Sequence, residues 1–180
     1  MSRAFGSTAD ADEAARAAVR WVGAAVGTDR VDVRLYLLDQ DGVLYSLVPR
    51  IEAAEPPERR AARREILDHR RPLRAPAPGS RTLVTFPLVS RGEAVGILEF
   101  VAPTEAVNRR WATLEAVASQ VAIVFRNLHH RTTLSASYQA IKDMSDLAGD
   151  MVRARTPAEA VRVAVRFCHS RFGTPAVGWL

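Results

Sequence analysis

Residues 81–102, RTLVTFPLVSRGEAVGILEFVA, decide how the rest of the chain is read. Two apolar runs, 83–89 and 94–101, flank the polar tetrapeptide Ser90-Arg91-Gly92-Glu93. Short β-branched and aromatic runs around a Gly-containing loop of this length predict a β-hairpin. Both runs are apolar nearly throughout, so both faces of the hairpin are expected to be covered. Gly96 removes a side chain where a neighbouring element approaches closely. Pro87 has no N–H for a ladder and suits an edge or a bulge.

Working outward, an ordinary globular composition surrounds this hairpin, with 48% hydrophobic and 25% charged residues in 180. There is no apolar run of about 18 residues to span a membrane, and the N-terminus lacks the apolar core of a signal peptide. Cys168 is the only cysteine, which rules out an intramolecular disulfide and a cysteine-based metal cluster. A cytoplasmic location is expected. The net charge of +5 raises the question of nucleic acid. Lys142 is the sole lysine, however, and the remaining positive charge is arginine, the residue suited to bidentate anion contacts.

Toward the N-terminus, residues 1–9 are small and polar and are expected to be unstructured. Asp10, Asp12 and Glu13 open a helix that runs to about Val26, with Ala15, Ala18, Val19, Val22 and Val26 at helical spacing and Gly27 as its stop. Residues 31–38 and 43–48, joined through Asp39 and Gly42, predict a first hairpin. In its first strand Val33, Leu35 and Leu37 share one face, and Arg34, Tyr36 and Leu38 the other. Residues 58–70 form a short, strongly charged helix, after which Pro72, Pro76, Pro78 and Gly79 interrupt regular structure.

Toward the C-terminus, Thr104 is placed to cap a long helix with Glu105 in its first turn. Leu114, Ala118, Val121, Phe125 and Leu128 form an apolar stripe, which lapses at Arg131-Thr132-Thr133. It resumes in a shifted phase at Leu134, Tyr138, Ile141, Met144, Ala148 and Met151. Such a shift alters local winding without ending a helix. One small domain cannot cover so long a stripe, so parallel self-association is expected through Leu114, Val121, Phe125, Leu128, Leu134, Tyr138 and Ile141.

The chain also repeats itself. Residues 14–21, AARAAVRW, match residues 160–167, AVRVAVRF, and Val26-Gly27-Thr28 matches Phe172-Gly173-Thr174 at the same offset. A period of domain size points to a second copy opening near residue 156, with its first strand beginning at Pro175. A helix and one strand cannot bury their own faces, so the natural chain is expected to continue beyond Leu180.

Phe86-Pro87-Leu88, a polar turn with Gly92, then Val95-Gly96-Ile97-Leu98-Glu99 resembles the signature hairpin of GAF domains. The order helix, hairpin, charged helix, hairpin, long exit helix is similar to that family over residues 10–131. Thr156-Pro-Ala-Glu and Phe172-Gly-Thr-Pro-Ala-Val-Gly-Trp179 look like the start of another such domain. The resemblance implies an α+β fold, a PAS-related central antiparallel sheet flanked by helices with a long C-terminal exit helix. It divides the chain into a disordered 1–9, a GAF-like domain 10–131, a connecting signalling helix 132–155 and a truncated second GAF-like domain 156–180. It also implies a ligand pocket on the sheet face turned away from the opening and exit helices, dimerisation through the exit helix, and an output domain downstream.

No residue pattern supplies a catalytic or metal site. Cys168 stands at the repeat position of Val22, a core-face helix position, and the motif of GAF-like free methionine sulfoxide reductases is absent. His129 and His130 are adjacent on a helix and do not share a face. His69 has no supporting haem pattern, and no cofactor is indicated. The arginines at 59, 60, 63, 64, 70, 71, 74 and 81 form the densest basic stretch, partly offset by Glu58, Glu65 and Asp68 with several pairs at salt-bridge spacing. This reads as a solvated helix face, contact with an anionic ligand or nucleic acid being the alternative. No aromatic residue lies between 51 and 85 on which a base could stack, which disfavours nucleic acid as a partner. A pocket is expected to use Arg34, Tyr36, Tyr45, Phe86 and Glu99. The expected function is non-catalytic: sensing a small molecule or partner and passing the state along the helix, with a switch at residues 131–133. A purely structural dimerisation module, its pocket collapsed around Tyr36 and Phe86, is the alternative, and an Arg-rich nucleic-acid-binding protein is a third.

Overall fold

The computed structural model describes residues 8–28, 31–39, 41–48 and 57–172. Along the chain it runs α1 (Thr8–Val26), β1 (Asp32–Leu38), β2 (Leu44–Val48), α2 (Pro57–His69), β3 (Leu73–Ala77), β4 (Arg81–Ser90) and β5 (Glu93–Pro103). α3 (Thr104–Arg109), α4 (Trp111–Arg153) and α5 (Pro157–Phe172) follow. The strands form one antiparallel sheet in the order β2-β1-β5-β4-β3, so the expected α+β architecture is the one found. The chain divides into two units between Thr132 and Thr133.

The organising hairpin is β4 and β5. Ser90 pairs with Glu93, which leaves Arg91 and Gly92 as a two-residue turn with φ of 52° and 83°. Positive φ at both turn positions matches the right-handed twist of the strands it joins. Gly96 does what its lack of a side chain suggests: a Cβ there would stand 2.1 Å from the Tyr36 carbonyl oxygen on β1. Pro87 lies beyond Thr85, the last residue of β4 that β3 pairs with, so its missing N–H leaves β3 no unmatched acceptor.

β3 is the first departure from expectation. The proline-rich segment after α2 is a strand, because an edge strand needs hydrogen bonds on one side only and tolerates Pro76 there. Residues 78–80 turn it into β4, with positive φ at Gly79 and Ser80. Thr104 is the second. Its hydroxyl bonds the Ser80 carbonyl and the Thr82 hydroxyl, and the six-residue α3 starts from Pro103 without a side-chain cap. The long helix begins only at Trp111.

One face of the sheet carries the main core. Successive cross-strand rows are Val33–Phe100–Val84, Leu35–Leu98–Phe86 and Leu37–Gly96–Leu88. α1 covers them with Ala15, Ala18, Val22 and Val26, and α4 with Leu114, Ala118, Val121, Ala122 and Phe125. Each fully buried large side chain contributes about 1.5–3 kcal/mol by leaving water. Arg110, between α3 and α4, closes this layer by donating to the Ala25 carbonyl at 3.1 Å, at the C-terminus of α1, where a cation is favoured.

The expected self-association stripe is corrected here. Leu114, Val121 and Phe125 are at most 2% exposed inside the first unit, and Leu128 packs on the same core. Leu114, Val121 and Phe125 face their own sheet and are not exposed to a second chain, whereas Leu128 is half-buried. The second half differs: Leu134, Tyr138 and Ile141 are 69%, 70% and 68% exposed. α4 passes through residues 131–133 as continuous helix.

In the second unit, Leu147 on α4 and Val163 and Phe167 on α5 line one cleft. Thr156 Oγ1 accepts from the Glu159 N–H at 3.2 Å and Glu159 Oε2 from the Arg155 N–H at 2.9 Å, capping α5. Cys168, expected on a core face, is exposed. Its repeat counterpart Val22 is buried by the sheet, whereas no strand among the described residues belongs to this unit. The expected strand from Pro175 onward, the Gly173-Thr174 match and residues 1–7 lie outside the described residues. No helix among the described residues is long and apolar enough to cross a membrane.

Candidate functional site

The opposite face of the sheet is covered by α2. Along β1, β5 and β4 this face carries the rows Arg34–Glu99–Thr85 and Tyr36–Ile97–Pro87. Tyr36, Ile97 and Leu67 form its apolar centre, with Leu38, Leu44 and Ala94 packed around them. Among its described side chains, α2 touches down through Arg63, Ile66 and Leu67, which are buried, while Ala61, Ala62, Arg64, Glu65, Asp68 and His69 are exposed.

Arg63 is 3% exposed and Glu99 8%. Arg63 Nη2 donates to Glu99 Oε2 at 2.8 Å and to Tyr36 Oη at 2.7 Å. The same guanidinium lies 3.7 Å from the centroid of the Tyr36 ring. A desolvated cation over an aromatic face adds to the charge-assisted bonds. One side chain from a helix, one from β5 and one from β1 thus meet in a buried, charge-balanced group.

Arg34 stands on this face directly across the strand from Glu99. Its Nη2 lies 3.5 Å from Asp32 Oδ2, an exposed contact. A cleft of about 620 Å3 flanks α2 on the β3 side, lined by Glu65, Ile66, Asp68, His69, Arg71 and Leu73 among others.

Of the five residues expected to form a pocket, the structure brings Arg34, Tyr36 and Glu99 to one face. It places Tyr45 and Phe86 on the other. Tyr45 pairs with Leu37 and packs on the main core. Burial first, and the Asp39 carboxylate second, raise its phenol above the ordinary tyrosine range. Phe86 stacks on Phe100 at 6.2 Å and meets the Trp111 ring at 4.9 Å, beneath α4. Period two along a strand accounts for the division: residues 34 and 36 alternate with 35 and 37, and 99 with 98 and 100.

Arg63 is the residue that sequence reasoning missed, having placed it on a solvated helix face. A signal was present. Ile66 and Leu67 lie three and four residues beyond Arg63, which sets it on the single apolar stripe of α2. Among the described residues no group of three or more His, Cys, Asp or Glu side chains gathers as a metal site.

Solved structures share this fold. The GAF domain/HD domain protein from Geobacter sulfurreducens aligns with a TM-score of 0.52 and 16% identity, over 67% of this chain and 95% of that one. The native GAF domain of the potassium sensor histidine kinase KdpD from Escherichia coli aligns with a TM-score of 0.50 and 18% identity, over 71% of this chain and 87% of that one. No curated protein matches the sequence. The GAF domain family model matches residues 10–125, from the opening helix through the buried half of α4, and the chain therefore belongs to the GAF domain family.

Proposed function

We propose that this chain is a non-catalytic, cytoplasmic regulatory module. In this reading the face under α2 receives a small molecule, and α4 passes the resulting state to whatever it is joined or bound to. The observation that carries it is the Arg63–Glu99–Tyr36 group, buried beneath a helix that is otherwise mostly exposed. A buried ion pair is weak support for stability and better attested as a device for register or switching. The non-catalytic part rests on the chemistry of that group: an arginine stays protonated, and its carboxylate partner is already engaged. GAF domains in a sensor histidine kinase and beside an HD domain fit a regulatory setting.

Pairing with a second copy belongs to the same proposal. Leu134, Tyr138, Ile141 and Met144 leave an apolar edge in water along one helix, which two parallel helices would cover. A second reading, a structural scaffold, is favoured by the fact that Arg63 itself occupies the centre of the α2-covered face. A native mass spectrum of the chain as purified separates these readings. A dimer with retained non-protein mass supports the sensor, a dimer that also takes up no mass when a metabolite extract is then added supports the scaffold, and a monomer overturns the pairing.

A further inference from the structure

The sheet face under α2 holds two arginines around one buried carboxylate. Glu99 on β5 stands between Arg63 on α2, which it accepts from at 2.8 Å, and Arg34 on β1, its direct cross-strand partner. Directly opposed residues of an antiparallel pair project from the same face, with Cβ atoms about 5 Å apart. Arg34 nevertheless contacts Asp32 at 3.5 Å, in a pair whose side chains are 32% and 55% exposed, and a contact of that kind holds weakly.

We propose that Arg63–Glu99 is an exchangeable ion pair, and that the site beneath α2 takes a small molecule by an oxyanion, a carboxylate or a phosphate. The inference rests on the sensor reading above and adds the chemistry of the ligand's anchoring group. On binding, the oxyanion accepts from the Arg63 guanidinium in place of Glu99. Glu99 passes to Arg34, which leaves Asp32 to water.

Charge balance selects this ligand class. An anion that merely displaced Glu99 would strand a buried carboxylate without a cation, which is strongly unfavourable. Arg34 removes that obstacle, since it already shares the row and changes partner by rotating a partly exposed side chain. Arg63 is suited to the incoming group, because a planar guanidinium matches carboxylate and phosphate oxygens two at a time. The Tyr36 ring, 3.7 Å away, fixes the plane of that fork. Exposed Arg59, Arg64, Arg70 and Arg71 on and beside α2 raise the local potential for an anion. α2 is the element that yields, since among the described residues it is held by Arg63, Ile66 and Leu67, whereas α1 and α4 each bury a full apolar stripe in the main core.

The test is a titration of the 15N-labelled full chain, following the arginine Nε–Hε resonances of Arg63 and Arg34. Sodium acetate and sodium phosphate are added separately, with sodium chloride at matched ionic strength as the control. Saturable shifts of both resonances with acetate or phosphate, absent with chloride, are expected, and whichever anion saturates identifies the class. Arg34→Gln is expected to keep the amide protection of α2 and to lose affinity for that anion by about tenfold or more. Arg34→Lys keeps a cation in the row and is expected to stay within about threefold of the natural chain. Glu99→Gln removes the competing carboxylate, so the folded variant is expected to bind more tightly, a change opposite in sign to that of Arg34→Gln. Equal affinity in Arg34→Gln and the natural chain overturns the exchange, as do shifts that grow linearly and are matched by chloride. A retained neutral molecule in the native mass spectrum, beside unresponsive arginines, overturns the exchange and leaves the sensor reading standing.

Discussion

Replacing Gly96 by alanine tests the strand approach on which both faces of the sheet depend. Gly96 pairs with Leu37 on β1 and Leu88 on β4, at the centre of the sheet. A Cβ there would lie 2.1 Å from the Tyr36 carbonyl oxygen and 3.1 Å from both Cα and Cδ2 of Leu37. Carbon and oxygen need roughly 3.3 Å, so the overlap exceeds an ångström and the obstacle is backbone. No rotamer relieves it; β1 has to draw away from β5. Overpacking that side chains can absorb costs about 1–3 kcal/mol. Separating two strands also weakens ladder hydrogen bonds, each contributing about 1 kcal/mol net. The expected loss is about 3–5 kcal/mol, a large fraction of the roughly 5–15 kcal/mol that holds a domain folded. Urea unfolding followed by far-ultraviolet circular dichroism measures it. Gly92→Ala is the reference, since Gly92 has φ of +83° but nothing within 4 Å of a Cβ. That variant bears backbone strain alone, about 1–2 kcal/mol. A Gly96→Ala loss no larger than that of Gly92→Ala would refute the reasoning.

Three further outcomes are expected. Arg63→Met and Glu99→Leu singly each leave a buried charge without its partner and should cost about 3–5 kcal/mol, whereas the double variant should recover most of that loss; additive losses in denaturant unfolding would show that the two do not act as a pair. Leu134→Asp with Tyr138→Asp should change the stability of the first unit by less than about 0.5 kcal/mol, both sites being exposed, yet weaken self-association in sedimentation equilibrium; Phe125→Ala, inside the core, should instead cost about 3–5 kcal/mol in stability. The Tyr45 phenol is raised by burial, so its neutral form is the one the fold holds. The contribution is complete below the ordinary tyrosine value near 10 and is lost as pH rises above it. Tyr45→Phe should therefore flatten the alkaline fall in stability, and an unchanged slope in thermal melts from neutral to strongly alkaline pH would count against the assignment.

The fold was legible where one periodicity served one purpose. Val33, Leu35 and Leu37 alternate with Arg34 and Tyr36, and the sheet buries the first set under α1 and α4 while α2 covers part of the second. The hairpin of β4 and β5 declared itself through Arg91-Gly92 and its flanking runs. β3 did not, because prolines count against a strand everywhere except at an edge, and edges are assigned only once a sheet exists. The stripe on α4 shows a different limit. Leu114 to Phe125 and Leu134 to Ile141 are equally apolar, but the first run meets the sheet and the second meets water. Hydrophobic spacing specifies that a face will be covered and is silent on which surface covers it. The lapse at Arg131-Thr132-Thr133 marks the point where the inward run has ended and the exposed one begins.

The site was half legible, for an electrostatic reason. In a run such as Glu58-Arg59-Arg60-Ala61-Ala62-Arg63-Arg64-Glu65, six of eight residues are charged and both signs are present, which reads as a solvated face even though Arg63 has no acid three or four residues away. Burial of one arginine becomes favourable only when a carboxylate waits on another element, and nothing local to α2 reveals Glu99, thirty-six residues on. Glu99 is the converse case: an acid inside an otherwise apolar strand, flanked by Leu98 and Phe100, needs a cation from elsewhere in the fold. Taken together the two anomalies resolve each other, since each names the charge the other lacks. Arg34 then acquires its interest, as a second cation in the row of a carboxylate that needs only one. A scaffold would be served as well by an apolar pair at 63 and 99. If the carboxylate changes hands, Arg34 is the cation that receives it, so the Arg34→Gln titration tests that exchange directly, which no measurement of stability does.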